Sequence, residues 1–117
     1  MVNPKQGDLI MIDAEPHVGH EEGGHNPLTG NIQHPFVVIS KDQYNAFTSL
    51  IIGMPITSKS KNGPMYVPIA DVASGIRGNV ITYQMQNYDF SGRHGKIIGR
   101  LPSSVVKNLI KRAKQVF

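Results

Sequence analysis

The segment HVGHEEGGHNPLTGNIQHP, residues 17–35, gathers four of the chain's five histidines around Glu21 and Glu22. Imidazole and carboxylate groups ligate metals and move protons near neutral pH. The spacings are H-x-x-H (His17, His20) and H-E-x-x-x-H (His20, His25). Neither is the H-E-x-x-H pattern that puts two ligands on one face of a helix in zinc hydrolases. Gly19, Gly23 and Gly24 also disfavour a helix here. The better reading is a long loop between two strands, and loops longer than about a dozen residues tend to be functional or disordered. No metal site is assigned, and no cofactor is expected. A metal-dependent hydrolase built on this loop is a rival that cleavage in EDTA would eliminate.

The elements that must hold such a loop are short and β-like. DLIMID (8–13), PFVVIS (35–40), SLIIGMPI (49–56), MYVPIA (65–70), NVITYQMQ (79–86) and GKIIGRL (95–101) are rich in Val, Ile, Tyr and Phe, with Gly, Pro, Asn and Ser between them. KDQYNAF has room for a helical turn, and Asn62-Gly63 supplies a turn. At the end of the chain Val105, Val106, Leu109, Ile110 and Ala113 recur at helical spacing behind Pro102, with Lys107, Lys111 and Lys114 opposite. Six strands and one amphipathic helix predict an α+β fold, a small curled antiparallel β-barrel with the helix packed on it. At 117 residues, without repeat or linker, the chain is read as one domain, 1–117.

Composition narrows the partners. The chain has no cysteine, which removes disulfides and thiolate metal sites. No apolar run approaches a membrane span, and the N-terminus lacks the order of a signal peptide, so a cytoplasmic protein without membrane contact is expected. Residues 1–48 carry two lysines against six carboxylates, whereas residues 49–117 carry ten Lys and Arg against two aspartates. A basic second half suits a polyanionic partner, nucleic acid first.

Five stretches in order, GDLIMIDAEPHVGHEEGG with its acidic-Pro pair Glu15-Pro16, HPFVVIS, MPITSKS, GIRGNVITYQM and GRLPSSVVKNLI, resemble the MazF/PemK/Kid family of toxin endoribonucleases. The resemblance runs from about Gly7 to the C-terminus. It implies an SH3-like plug barrel, shared with the gyrase-poisoning CcdB toxins, and a homodimer that cuts single-stranded RNA without a metal. It further implies RNA's own 2′-hydroxyl as nucleophile, a 2′,3′-cyclic phosphate and a 5′-hydroxyl as products, and a small cognate antitoxin as inhibitor. Operator DNA would be met only through the antitoxin complex.

Such a reaction needs a base for the 2′-hydroxyl, an acid for the departing 5′-oxygen and a donor or cation for the phosphate. The family's catalytic arginine stands just before the proline of an R-P-V-V strand. HPFVVIS puts His34 there, whereas matching the GHEEGGHNP loop first puts Asn26 there. His34 is a better proton shuttle than arginine but lacks its permanent forked clamp. Thr57 falls at the family's catalytic threonine, with Ser58 as a second donor. Gln84 matches the family glutamine, and Tyr83, in place of the acid before it, has a ring on which a base could stack. His20 and Glu22 match the loop that borders the RNA groove. Lys59, Lys61, Arg77 and Arg93, with His94 and Lys96, are expected in loops that follow the RNA backbone. The alternative to catalysis is a degenerate toxin or a CcdB-like binding protein on the same fold.

Overall fold

A computed structural model describes residues 3–13 and 33–117. Seven strands and two helices follow in the order β1 (Asp8–Asp13), β2 (Gln33–Val38), α1 (Asp42–Thr48), β3 (Leu50–Thr57), β4 (Tyr66–Asp71), β5 (Ile76–Ile81), β6 (Gln86–Asp89), β7 (Lys96–Arg100) and α2 (Ser103–Lys114). All strand pairs are antiparallel. The strand order is β4-β5-β3-β2-β1-β7, with β6 also on β3, and the sheet curls into a small, nearly closed barrel with α2 packed on it.

β3 organises the curl, because it pairs with β2 along one edge and with β6 and then β5 along the other. The run 79–86, read as one strand, is therefore two. β5 ends at Ile81, where β3 turns away, and β6 begins at Gln86 opposite Gly53. Alternation divides the apolar residues into two clusters. Leu9, Val37, Met54, Ile56, Val67 and Val80 face one way and meet Leu109 and Ala113 of α2. Ile10, Ile12, Phe36, Val38, Ile51, Tyr88 and Phe90 face the other way. Leu109 and Phe36 are both fully buried, and each such side chain contributes about 2–3 kcal/mol in removed apolar area.

The helix α2 forms as its periodicity predicts. Pro102 stands at its N-cap rather than inside its first turn, and its carbonyl accepts from the Val105 and Val106 amides. Lys111, Arg112 and Lys114 lie in the last turn, where cations suit the helix dipole. The helix can lie close because Gly7, at φ +95°, faces Val106: a Cβ there would come within 2.8 Å of the valine. None of the helices of the described residues is long and apolar enough to cross a membrane.

Candidate active site

Antiparallel pairing brings three strand ends to one rim of the barrel: the last residue of β1, the first residues of β2 and the last residue of β3. Ile12 pairs with His34 and Asp13 with Gln33. The β2–β3 register runs Val38↔Gly53, Val37↔Met54, Phe36↔Pro55, and continued two residues further it sets His34 opposite Thr57. Residues opposite each other in an antiparallel pair point to the same face. The imidazole packs edge-on against Phe36, with ring centroids 5.7 Å apart. Phe36 in turn meets Tyr88 at 4.9 Å across β3, where Gly53 puts no side chain between them.

Thr57 is held tightly. It is 2% exposed, and its Oγ1 accepts from the Lys59 amide at 3.2 Å. A hydroxyl that accepts keeps its own hydrogen to donate, which is what a phosphate oxygen at the rim would need. Position 57 is set by β5: Asn79 pairs with it and donates through Nδ2 to the Lys59 carbonyl at 3.3 Å. Next to Asn79, Gly78 lies so close to β3 that a Cβ would sit 2.2 Å from the Thr57 carbonyl oxygen. Only glycine allows that approach.

Ser58, Lys59 and Lys61 are exposed on the segment that leaves this rim, as expected. Arg77 is not in a loop; it lies in β5 opposite Ala70, exposed, on the β4–β5 hairpin. Tyr83 and Gln84 lie in the bend between β5 and β6 rather than within a strand. Tyr83 is 45% exposed, and its hydroxyl is 3.1 Å from that of Tyr66, with the rings edge to face at 6.0 Å. Tyr66 itself is half-buried at the start of β4. His20, Glu22 and Asn26, with most of the histidine-rich loop, lie outside the described residues. Among the described residues no group of three or more His, Asp or Glu is placed to hold a metal ion.

The loop between β6 and β7 also reaches the rim. The Asp13 amide donates to the Arg93 carbonyl, and Arg93 Nη1 donates to the Asp13 carbonyl, each at 2.9 Å. The guanidinium carbon lies 5.1 Å from the centre of the Tyr88 ring, within range of a cation–π contact. His94 Nδ1 is 2.7 Å from Asp13 Oδ2; that carboxylate's side chain is 11% exposed and the imidazole's 76%. Gln33 Nε2 donates to the His94 carbonyl at 2.8 Å. Asp13 and Gln33 were not among the expected site residues. Asp13 and His94 are 81 positions apart, and no spacing rule joins them; only the strand register does.

A family model described as PemK-like, MazF-like toxin of type II toxin–antitoxin systems matches residues 5–117. The chain belongs to that family. The Endoribonuclease toxin MazF of Escherichia coli K12 is 36% identical over 67 residues, 57% of this chain and 53% of that protein. The chain thus spans about half the length of that relative. Endoribonuclease PemK of Escherichia coli is 22% identical over 115 residues, covering 96% of this chain and 80% of that protein. Among solved structures, a crystal structure of MazF from Deinococcus radiodurans superposes with TM-score 0.84 at 25% identity, over 99% of this chain and 97% of that one. A MazE–MazF complex from the same organism gives 0.77 at 22% identity, covering 98% of this chain and 96% of that one. The curled barrel with a C-terminal helix is the fold of these family members.

Proposed function

We propose that the protein is a toxin that cuts single-stranded RNA in the cytoplasm by metal-independent transesterification. The observation that supports this reading is the β2–β3 register, which extended two residues sets His34 opposite Thr57, on a chain whose relatives are named endoribonucleases. In the proposed reaction the imidazole of His34 takes the proton of the RNA 2′-hydroxyl, and O2′ attacks the phosphorus. The P–O5′ bond breaks, leaving a 2′,3′-cyclic phosphate and, once O5′ is protonated, a 5′-hydroxyl. Thr57 donates to a non-bridging phosphate oxygen. Ser58, Lys59, Lys61 and Arg77 follow the backbone from the β3 end and the β4–β5 hairpin. Tyr83, with Gln84 beside it, stacks an unpaired base one step along the strand. His20 and Glu22 border the groove.

The acting unit is a homodimer, which a cognate antitoxin restrains; solved relatives include complexes of a MazF with a MazE. The direct test is incubation of the purified chain with a long RNA in EDTA, followed by mapping of the ends. Cyclic phosphate and 5′-hydroxyl termini are expected. No cut in any RNA, with RNA binding intact, would favour the second reading, a non-catalytic binder on the same barrel. The observation behind that reading is the histidine at position 34 and the tyrosine at 83, where the family has an arginine and an acid.

A further inference from the structure

We propose that Asn62-Gly63 is a site of self-modification, where Asn62 loses its side-chain amide to the next backbone nitrogen and the acid left behind weakens this segment's hold on RNA. The consequence for RNA rests on the ribonuclease reading above; the chemistry does not. In the step, the deprotonated Gly63 nitrogen attacks Cγ of Asn62 and forms a C–N bond. The bond from Cγ to the side-chain nitrogen breaks, and ammonia leaves with a proton from water. Water then opens the cyclic imide at either carbonyl, giving aspartate or isoaspartate. No oxidant or reductant is needed.

The sequence holds eight asparagines, and only Asn62 precedes a glycine. Glycine has no side chain to obstruct its own nitrogen, and a Cβ built at Gly63, at φ +119°, would meet nothing within 4 Å. Both residues are exposed on the segment between β3 and β4. Among the described residues no hydrogen bond engages the Asn62 side chain or the Gly63 amide, so none has to break before the ring closes. The other described asparagines differ. Asn3 precedes Pro4, which has no N–H to lose. Asn45 is 1% exposed, and its Nδ2 donates to the Pro4 carbonyl at 2.8 Å. Asn79 and Asn87 lie in β5 and β6, paired with β3, and Asn108 lies inside α2.

The position of Asn62 gives the change its effect. Lys59 is fixed through its amide on Thr57 Oγ1 and through its carbonyl, which accepts from Asn79 Nδ2. At the other end the Gly63 carbonyl accepts from the Tyr66 amide at 3.3 Å. The stretch from Lys59 to Gly63 carries Lys59 and Lys61 and no carboxylate, so an acid at position 62 takes it from two net positive charges to one. That charge is added beside the lysines proposed to follow RNA phosphates, while the anchors and the fold stay as they are.

The test incubates the purified full chain for days, warm and at mildly alkaline pH, and maps its peptides by mass. Amide loss at Asn62, with isoaspartate among the products, is expected, while Asn45, Asn79, Asn87 and Asn108 stay intact. The loss should quicken as pH rises, because the Gly63 nitrogen must give up its proton. Affinity is read with a labelled single-stranded 2′-O-methyl RNA, which has no 2′-hydroxyl to attack with and is not cut. Asn62→Asp should bind it on the order of threefold to tenfold more weakly than fresh wild type, as loss of about one phosphate contact does, at an unchanged melting temperature. Asn62→Gln, whose longer side chain closes the imide slowly, should bind like fresh wild type and keep that affinity through the incubation. An intact Asn62 after incubation, or Asn62→Asp binding as tightly as fresh wild type, overturns the proposal and leaves the ribonuclease reading standing. A fresh wild type that neither binds this probe nor cuts RNA overturns that reading and the consequence drawn from it, even where the amide at position 62 is lost.

Discussion

The two faces of the sheet are built from the same kinds of residues and end differently. On one, Leu9, Val37, Met54, Ile56 and Val80 run under α2, and Leu109 and Ala113 seal them with apolar side chains. On the other, Ile10, Ile12, Phe36 and Tyr88 run toward a rim finished by His34, Thr57 and the Arg93 loop. The first core ends in more core; the second ends in polar and basic side chains. Substitutions on the helix side should therefore be read in stability, and substitutions at the rim in rate.

The largest effect is expected at the rim. His34→Ala should lose on the order of 10²–10⁴-fold in cleavage rate with its melting temperature near that of wild type, since the ring is half-buried at a strand end. The wild-type rate should rise with pH through the imidazole range, as the ring loses the proton that blocks a base. His34→Arg should still cut, with that limb gone from its profile. An inert wild type revived by His34→Arg would mean a disarmed toxin, and His34→Ala as fast as wild type would place the chemistry elsewhere.

Leu109→Ala is the counterpart on the other face. It should cost about 2–5 kcal/mol in a denaturant titration, because the side chain is fully buried, yet the folded fraction should cut RNA at the wild-type rate. A rate loss at full folding would mean that the two faces are coupled.

Gly78→Ala probes the seam between them. The added methyl has to displace the Thr57 carbonyl, so the rate should fall tenfold or more, as small misplacements of a site do. A Gly78→Ala variant with unchanged rate would show that the site tolerates movement of Thr57.

The smallest effect belongs to single surface charges. Lys59→Glu with Lys61→Glu should weaken RNA binding and flatten its salt dependence by about two counterions, without moving the melting temperature. Unchanged affinity would remove this segment from the groove. Light scattering should report about twice the 12.8 kDa chain mass at micromolar concentration, and a monomer would count against the proposed homodimer.

Much of the architecture was legible in local pattern. The strands at Asp8–Asp13, Leu50–Thr57, Tyr66–Asp71 and Lys96–Arg100, the helical turn at Asp42–Thr48 and the amphipathic α2 all stand within a residue or two of their expected places. Each is signalled by β-branched runs or a 3.6-residue period, which reside in adjacent residues. The break of 79–86 into β5 and β6 was not legible. Ile81 to Gln86 carries no strong breaker, and the chain bends there because β3 needs two partners along one edge.

The candidate site divides along the same line. The residue types at positions 34 and 57, the family to which the chain belongs and the basic character of its second half follow from the sequence by itself, because they depend on identity and order alone. That the β2–β3 register extends to set His34 opposite Thr57, that Gly78 presses on Thr57 and that Asp13 meets His94 were decided only by the tertiary structure. These are pairings between residues 21 to 81 positions apart. They depend on strand register and on the curl of the sheet, which bring residues together by closing many backbone hydrogen bonds at once, and no short stretch of the chain encodes that closure.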